Sequence, residues 1–155
     1  MPVIRHEDAN GEASRALFAE YMDLVRERLG DDFVPTEQIF ATEDDFDGPG
    51  AAWLVIYDGD SAVACGGVRP LGHGVAEIKR MFVTAPARRR GHARALLAEL
   101  ERLAADGGGD RVRLYTTGVL REARALYGAS GYRPVGIVAI DGRIDLWLEK
   151  AITPA

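Results

Sequence analysis

The sequence lacks the features that define several large classes of protein. It contains one cysteine, Cys65, among 155 residues, which makes an internal disulfide impossible and excludes a disulfide-stapled secreted domain. No apolar run approaches the ~18 residues that a membrane-spanning helix needs. The first residues are polar from Arg5 onward and contain no apolar signal segment. We therefore expect a soluble cytoplasmic protein with no membrane association.

Several motifs of nucleotide and metal binding are also absent. The sequence has neither the G-x-x-x-x-G-K-S/T loop of nucleoside triphosphate binding nor the G-x-G-x-x-G loop of dinucleotide binding. Its three histidines and Cys65 show no metal-ligand spacing, so we expect no metal site. There is no internal repeat and no low-complexity segment. With 47% hydrophobic residues, residues 1–155 are expected to form a single domain with its own core.

Charge is distributed unevenly along the chain. Residues 1–60 contain 15 Asp or Glu and 4 Lys or Arg, a net charge of -11, whereas residues 61–155 contain 9 and 15, a net charge of +6. A molecule divided in this way could hold an anion at its basic end and attract a cation at its acidic end. On charge alone, a solvated acidic helix and loop is the simpler interpretation of the first part.

Hydrophobic periodicity and turn signals predict alternating strands and helices. A run of hairpins followed by strand–helix–strand–helix–strand indicates an α/β protein with a mixed, mostly antiparallel sheet and helices on both faces. The long connection over residues 30–50 is expected to contain a short helix near 36–41. Strands are expected at 2–5, 51–57, 61–69, 75–84, 111–117, 132–140 and 143–150, and helices at 11–29, 92–106 and 119–130.

The most informative segment is the loop between the strand at 75–84 and the helix at 92–106. The first turn of a helix presents unpaired N–H groups and the positive end of the dipole, which suit a phosphate. Gly91 and Ala93 are small enough for a phosphate to approach the backbone. A solvated or nucleic-acid-binding basic patch is the alternative, although the chain is acidic overall and no aromatic platform adjoins the loop. Charge-assisted donors are available from Arg88, Arg89, Arg90 and Arg94.

Two segments resemble the motifs of one enzyme family. Arg88-x-x-Gly91-x-Ala93 resembles the Q/R-x-x-G-x-G/A signature of the GNAT family of N-acetyltransferases, and it is followed by the usual small-Leu-Leu sequence. The segment at 123–132, which contains Tyr127, resembles the family's A-x-x-L/F-Y-x-x-x-G-F/Y motif. The resemblance covers residues 51–140 well and the N-terminal third only by architecture. The sequence departs from the family pattern at three positions: Pro86 lies one place from the usual proline, Arg89 stands where Gly is common, and Leu120 replaces a polar residue. Leu120 occupies the position, seven residues before Tyr127, at which many members have Asn.

The resemblance implies an acyl-CoA N-acyltransferase fold and a cofactor site for acetyl-CoA, used as co-substrate. The diphosphate would lie on the backbone N–H groups of residues 89–94. The end of the preceding strand would pair with the pantetheine arm, and a backbone N–H near Met81 or Phe82 would polarise the thioester carbonyl. The residues implied for cofactor binding are Met81, Phe82, Val83, Arg88, Arg89, Arg90, Gly91, His92, Ala93 and Arg94.

Two residues are candidates for proton transfer. The resemblance implies that a primary amine attacks the thioester of acetyl-CoA directly, in a ternary complex. The amine must then lose a proton and the departing thiolate must gain one. The motif implies that Tyr127 is the general acid, although its place on the apolar face of a helix also suits a core residue. Glu77 is the candidate base, acting through a water. Alternatively, Glu77 is an exposed strand carboxylate paired with Lys79 or Arg80.

The acceptor and the partners are less closely specified. We expect a small-molecule amine, and the acidic first 60 residues favour a cationic one. Thr116, Thr117 and Gly118 end a strand beside the cofactor cleft that the resemblance implies. A turn at this point explains these residue types as well as contact with substrate does. Alternatives are transfer of another acyl group, a protein amine as acceptor, and a non-catalytic acyl-CoA sensor or interaction module. A homodimer could form through the strand at 143–150. The acidic residues of the connecting loop are Glu43, Asp44, Asp45 and Asp47.

Overall fold

The computed structural model describes residues 1–30, 43–117, 120–140 and 143–155. The predicted order of strands and helices is confirmed, with bounds shifted by a few residues. The short helix expected near 36–41 lies outside the described residues. Short 3-10 helices occupy Glu43–Phe46 and Ala85–Ala87. The strands are β1 (Pro2–His6), β2 (Ala52–Asp58), β3 (Ser61–Gly72), β4 (Val75–Val83), β5 (Arg111–Thr117), β6 (Arg133–Ile140) and β7 (Arg143–Ala151), and the helices are α1 (Glu12–Leu29), α2 (His92–Asp106) and α3 (Arg121–Ala129).

The seven strands form one mixed sheet in the order β1-β2-β3-β4-β5-β7-β6. β4 and β5 are parallel, and every other pair of neighbouring strands in the described sheet is antiparallel. The difference follows from the connections: a parallel pair needs a crossover, which α2 supplies, whereas a tight turn suffices for an antiparallel pair. Gly59, with a φ of +62°, makes such a turn between β2 and β3.

Helices cover both faces of the sheet and bury two apolar clusters. On one face, Leu96 and Leu100 of α2 pack on buried strand residues such as Ile78, and Tyr127 of α3 joins the same cluster. On the other face, Leu17 of α1 packs in a cluster with Cys65 and other side chains of the sheet. Full burial of a large aliphatic or aromatic side chain contributes about 1.5–3 kcal/mol. These two clusters therefore hold α1 and α2 on opposite sides of the strands.

β4 and β5 separate partway along their length. Their pairing begins at Val75 and Arg111 and ends at Ile78 and Leu114. Two residues later, Arg80 has a φ of +58°, next to an irregularity in the pairing of β4 with β3. A positive φ in a bulky residue marks a sharp local deviation from strand geometry. β4 therefore turns away from β5 and leaves a wedge-shaped gap in the sheet.

Candidate active site

A cavity of about 170 Å³ lies at the gap in the sheet, beside the last residues of β4 and past the end of its pairing with β5. Its walls come from the last residues of β4, the second half of α1, the first turns of α3 and the start of α2. Most of the lining is apolar, so the cavity suits an apolar or amide-bearing chain rather than a bare ion. The lining residues are Tyr21, Leu24, Arg28, Met81, Phe82, Val83, Arg88, Ala93, Leu120, Glu122, Ala123, Leu126 and Tyr127.

The N-terminus of α2 opens onto a second cavity, of about 350 Å³, which adjoins the first. Gly91 precedes the helix with a φ of +82° and, as a glycine, makes no side-chain capping hydrogen bond to the first turn. The N–H groups of that turn can therefore bind an anion. The two cavities share four residues, Val83, Arg88, Ala93 and Leu126. The others that line the second cavity are Ala87, Arg89, Gly91, His92 and Arg94.

Nine of the ten residues predicted to bind the cofactor line one or both of these cavities. The exception is Arg90, whose guanidinium lies 3.7 Å from the carboxylate of Asp58, the last residue of β2. Arg88 also has a structural contact, because its Nε donates to the carbonyl oxygen of Val83 at 3.3 Å. The structure therefore divides the arginines into three that face the cavities and one that points away from them.

Tyr127 belongs both to the core and to the wall of the wedge. Its side chain is 6% exposed and its ring meets that of Tyr132 edge to face, with centroids 5.9 Å apart. Burial raises the pKa of the Tyr127 hydroxyl above its ordinary value. The Tyr127 side chain also lines the 170 Å³ cavity. A place in the core and contact with a bound ligand are therefore compatible for this residue.

Glu77 is buried rather than exposed, at 3% of its accessible surface. Arg69 Nε donates to its Oε1 at 2.9 Å, and Lys79 Nζ lies 3.8 Å from the same oxygen. Arg69 also contacts Asp45 at 3.1 Å, so one acidic residue of the connecting loop is engaged in an ion pair. The expected pairing with Lys79 is present, but the principal partner of Glu77 is Arg69, which the sequence pattern did not indicate.

A smaller cavity, of about 30 Å³, lies where β4 and β5 part. Lys79 and Arg80 reach it from β4, and both side chains are largely buried. Burial lowers the pKa of the Lys79 ammonium, and the nearby Glu77 carboxylate opposes that effect. The Arg80 guanidinium lies over the ring of Phe18, 4.3 Å from its centroid. The lining is completed by Tyr21, Ile78, Tyr115, Thr116, Thr117 and Leu120.

Sequence reasoning missed most of this smaller cavity. Tyr115 and Asp145 received no role, although the Tyr115 hydroxyl donates to Oδ2 of Asp145 in the structure. Thr116 and Thr117, which the sequence places at the end of a strand, both line this cavity. Gly118 lies outside the described residues, as do the side chains of Glu43 and Asp44. No cluster of potential metal ligands occurs in the described ranges.

No helix within the described part of the chain is both long enough and apolar enough to cross a membrane.

The position of Cys65 agrees with the behaviour of a small buried hydrophobe, since 2% of its surface is exposed. Burial raises the pKa of its thiol to about 12. The thiol therefore remains protonated and unreactive at neutral pH.

Comparison with known proteins identifies related sequences and folds. Residues 15–132 match the model of the acetyltransferase (GNAT) family. A Klebsiella pneumoniae protein with the provisional name acyl-CoA N-acyltransferase is 25% identical, with a TM-score of 0.75 and 97% of each chain covered. An aminoglycoside 6'-N-acetyltransferase complexed with coenzyme A is 20% identical, with a TM-score of 0.72 and coverage of 99% of this chain and 98% of that one.

A further fold relative is a GNAT family acetyltransferase from Elizabethkingia anophelis, solved with acetyl-CoA bound. It is 14% identical, with a TM-score of 0.68, and the alignment covers 97% of this chain and 98% of that one. A search of curated proteins finds no significant match. At 20% identity and below, these likenesses describe the fold alone, whereas the family model also matches the sequence over most of the chain.

Proposed function

The chain belongs to the GNAT acetyltransferase family, and on that premise we propose that residues 1–155 act as one N-acetyltransferase domain. The proposed reaction moves the acetyl group of acetyl-CoA to the primary amine of a small molecule, by direct attack in a ternary complex. The observation that carries the proposal is the junction of two cavities, one in the wedge between β4 and β5 and one at the uncapped start of α2. Together they suit a long ligand with an anionic end.

The anionic end would lie at the first turn of α2. The N–H groups after Gly91 would bind the diphosphate, and Arg89 and Arg94 would contribute charge. The pantetheine arm would follow the end of β4, where pairing with β5 stops at Ile78. An extended amide-bearing chain can hydrogen-bond to such a free strand edge as an added strand would. The thioester would then lie near Met81, with a backbone N–H of that segment polarising its carbonyl.

Two residues would then handle protons during the transfer. When the amine attacks and the C–S bond breaks, Tyr127 would protonate the departing thiolate. Tyrosine has an ordinary pKa of about 10 and a thiol about 8.5, so this step depends on close positioning of the two groups. Glu77 would accept a proton from the amine through a water. Its contacts with Arg69 and Lys79 would orient the carboxylate for that role.

The acceptor is proposed to carry further positive charge. α1 contributes Glu20, Asp23 and Glu27 to the acidic part of the chain, and a cationic acceptor would be attracted to that side. The fold relative named for aminoglycosides is consistent with such an acceptor. The pairing of Asp45 with Arg69 leaves less of the connecting loop's charge available for this attraction.

We also propose a cytoplasmic location and a homodimer for this enzyme. A chain with one cysteine does not depend on an oxidising compartment, so we place the enzyme in the cytoplasm. A homodimer would not pair through β7, which lies between β5 and β6. It would instead use the edge strand β6, where Val135 and Ile137 are exposed. Analytical ultracentrifugation over a range of concentrations would show whether the dimer forms.

A thiol-release assay tests the enzymatic proposal. Acetyl-CoA would be mixed with the protein and with a panel of aminoglycosides, polyamines, amino acids and a lysine peptide, while calorimetry measures acetyl-CoA binding separately. We expect saturable binding and release of free thiol with at least one small-molecule amine. Binding without turnover of any amine would indicate a sensor instead, and turnover of the peptide alone would indicate a protein acceptor. Propionyl-CoA in the same assay tests the acyl preference.

A further inference from the structure

The cavity of about 30 Å³ beside the wedge has a polar lining that the roles of Tyr127 and Glu77 do not use. A cavity of about 10–15 Å³ already admits one water, so this one accommodates a group of the size of a water or an amino group. It shares Tyr21 and Leu120 with the larger cavity and lies at the end where β4 and β5 part. A small polar group attached to a molecule in the wedge can therefore reach it.

The cavity contains an unsatisfied buried hydroxyl. Thr117 is 2% exposed, and its Oγ1 has no hydrogen-bond partner among the residues that the structure describes. Buried hydroxyl groups are nearly always hydrogen-bonded, because burying one without a partner is costly. This cavity is therefore suited to a guest that forms hydrogen bonds, and Thr117 is available to accept one from it or donate one to it.

A tyrosine and a buried carboxylate lie beside that hydroxyl. Asp145 is directly opposite Thr117 in the pairing of β5 with β7, and it is 0% exposed. The Tyr115 hydroxyl donates to Oδ2 of Asp145, and the Tyr115 ring meets that of Trp147 edge to face with centroids 5.0 Å apart. Tyr115 is therefore held in place by two partners on β7, and it connects the cavity with the buried carboxylate.

The charged groups around the cavity favour loss of a proton by an amine. Lys79 and Arg80 line it from β4, and nearby positive charges disfavour the ammonium form of a guest amine. Tyr21 faces the cavity from α1. Along β5 and β7, Arg113 and Glu149 form an ion pair at 2.8 Å. Glu77 is absent from the lining residues of this cavity and accepts a hydrogen bond from Arg69.

We propose that Tyr115 and Asp145 accept the proton of the acceptor ammonium in this cavity. This inference rests on the proposed acetyl transfer. One N–H proton passes to the oxygen of Tyr115 while the hydroxyl proton of Tyr115 passes to Oδ2 of Asp145, which leaves a neutral amine with a free lone pair. The amine then forms the C–N bond, and the C–S bond breaks. Tyr127 protonates the departing thiolate and the second N–H proton passes through a water to Glu77. After product release, the proton on Glu77 returns through solvent to the Tyr127 oxygen and the proton on Asp145 is lost to solvent.

The test compares Asp145→Asn and Tyr115→Phe with one control variant, Glu149→Gln, and with Glu77→Gln, which removes the base assigned under the proposed function. Glu149 lies on the same face of β7 as Asp145 but pairs with Arg113, so its substitution removes the same charge from the strand at a distance from the cavity. Tyr115→Phe retains the ring contact with Trp147, so it preserves packing if Asp145→Asn does not fold. The amine is the member of the panel with the highest kcat/KM.

Three quantities would be measured for each variant: kcat/KM for the amine between about pH 6 and 9, the calorimetric Kd of acetyl-CoA, and the thermal midpoint. We expect Asp145→Asn and Tyr115→Phe to lower kcat/KM at pH 7 by about 100-fold or more, with Kd unchanged. The loss should shrink as the pH approaches the pKa of the free amine, because a deprotonated amine needs no base. Glu149→Gln should stay within about 2-fold of the parent.

Each outcome decides the question. A 100-fold loss that is independent of pH, or kcat/KM near the parental value in Tyr115→Phe, would overturn the relay and leave acetyl transfer intact. A pH-dependent loss in Glu77→Gln alone would assign the base to Glu77 and also overturn the relay. If the parent protein binds acetyl-CoA and acetylates no amine, both the proposed function and the relay fail. If the parent protein is active and only the variants depart from expectation, the relay alone fails, so the two failures are distinguishable.

Discussion

Arg28 at the end of α1 forms a two-point ion pair with Glu122 in the first turn of α3. Its Nη1 and Nη2 donate to the two carboxylate oxygens at 2.8 and 2.9 Å. Both residues line the 170 Å³ cavity. The pair therefore links helices on opposite faces of the sheet, across the gap left by β4 and β5, and it forms part of the cavity wall.

Glu122→Gln should loosen this wall without unfolding the protein. The Arg28 guanidinium lowers the pKa of the Glu122 carboxyl from 4.5 to about 2, so the pair stabilises the fold above the ordinary pKa and this contribution is lost as the pH falls toward 2. The side chain of Glu122 is mostly exposed, so the effect on stability is small. Thermal midpoints of the parent and Glu122→Gln should differ slightly at pH 7 and converge near pH 2. A difference that persists at pH 2 would contradict the assignment.

Arg89→Glu should weaken acetyl-CoA binding far more than Arg90→Glu does. Both substitutions make the same change of charge in the same loop, but Arg89 lines the cavity at the start of α2 whereas Arg90 lies 3.7 Å from Asp58. A hydrogen bond to a charged group contributes about 1.5–3 kcal/mol, which corresponds to roughly a 10- to 100-fold rise in Kd. Calorimetry of the two variants at one salt concentration checks this. Equal losses would show that the loop acts through its net charge only.

Tyr127→Phe should lower kcat while leaving the Kd of acetyl-CoA unchanged. The substitution removes only the hydroxyl and retains the edge-to-face contact with Tyr132, so folding should be preserved. General acid catalysis contributes about 100-fold or more. Thiol release at saturating acetyl-CoA and amine measures the effect. Full kcat in the variant would restrict Tyr127 to a role in the core.

Gly67→Ala should destabilise the fold strongly although it adds only one methyl group. A Cβ at Gly67 would overlap the ring of Phe46 and would lie 2.7 Å from Cε3 of Trp53. Both rings are buried and in contact with each other, with centroids 4.9 Å apart. Overpacking of this kind costs about 1–3 kcal/mol. Chemical denaturation measures the difference, and Gly59→Ala, at a position with open space around the Cβ, reports the cost of a positive φ without overlap.

The sequence predicted the local elements because their signals are local. The spacing of Leu96, Leu97 and Leu100 indicates one face of a helix whatever it packs against, and in the structure these three residues form the buried face of α2. The loop before that helix was identified in the same way, because an uncapped helix start beside Gly91 and several arginines is a property of consecutive residues. Nine of the predicted cofactor residues consequently line the two adjoining cavities.

By itself, therefore, the sequence determined the order of the elements, the arginine-rich loop and the family to which they point. Only the tertiary structure decided which distant side chains meet. Arg28 reaches Glu122 because two helices from opposite faces approach each other across a gap in the sheet. Tyr115 reaches Asp145 because β7 pairs with β5 inside the sheet, rather than at its edge. Periodicity describes which face a residue occupies, but strand order and the separation of β4 from β5 determine what lies opposite it.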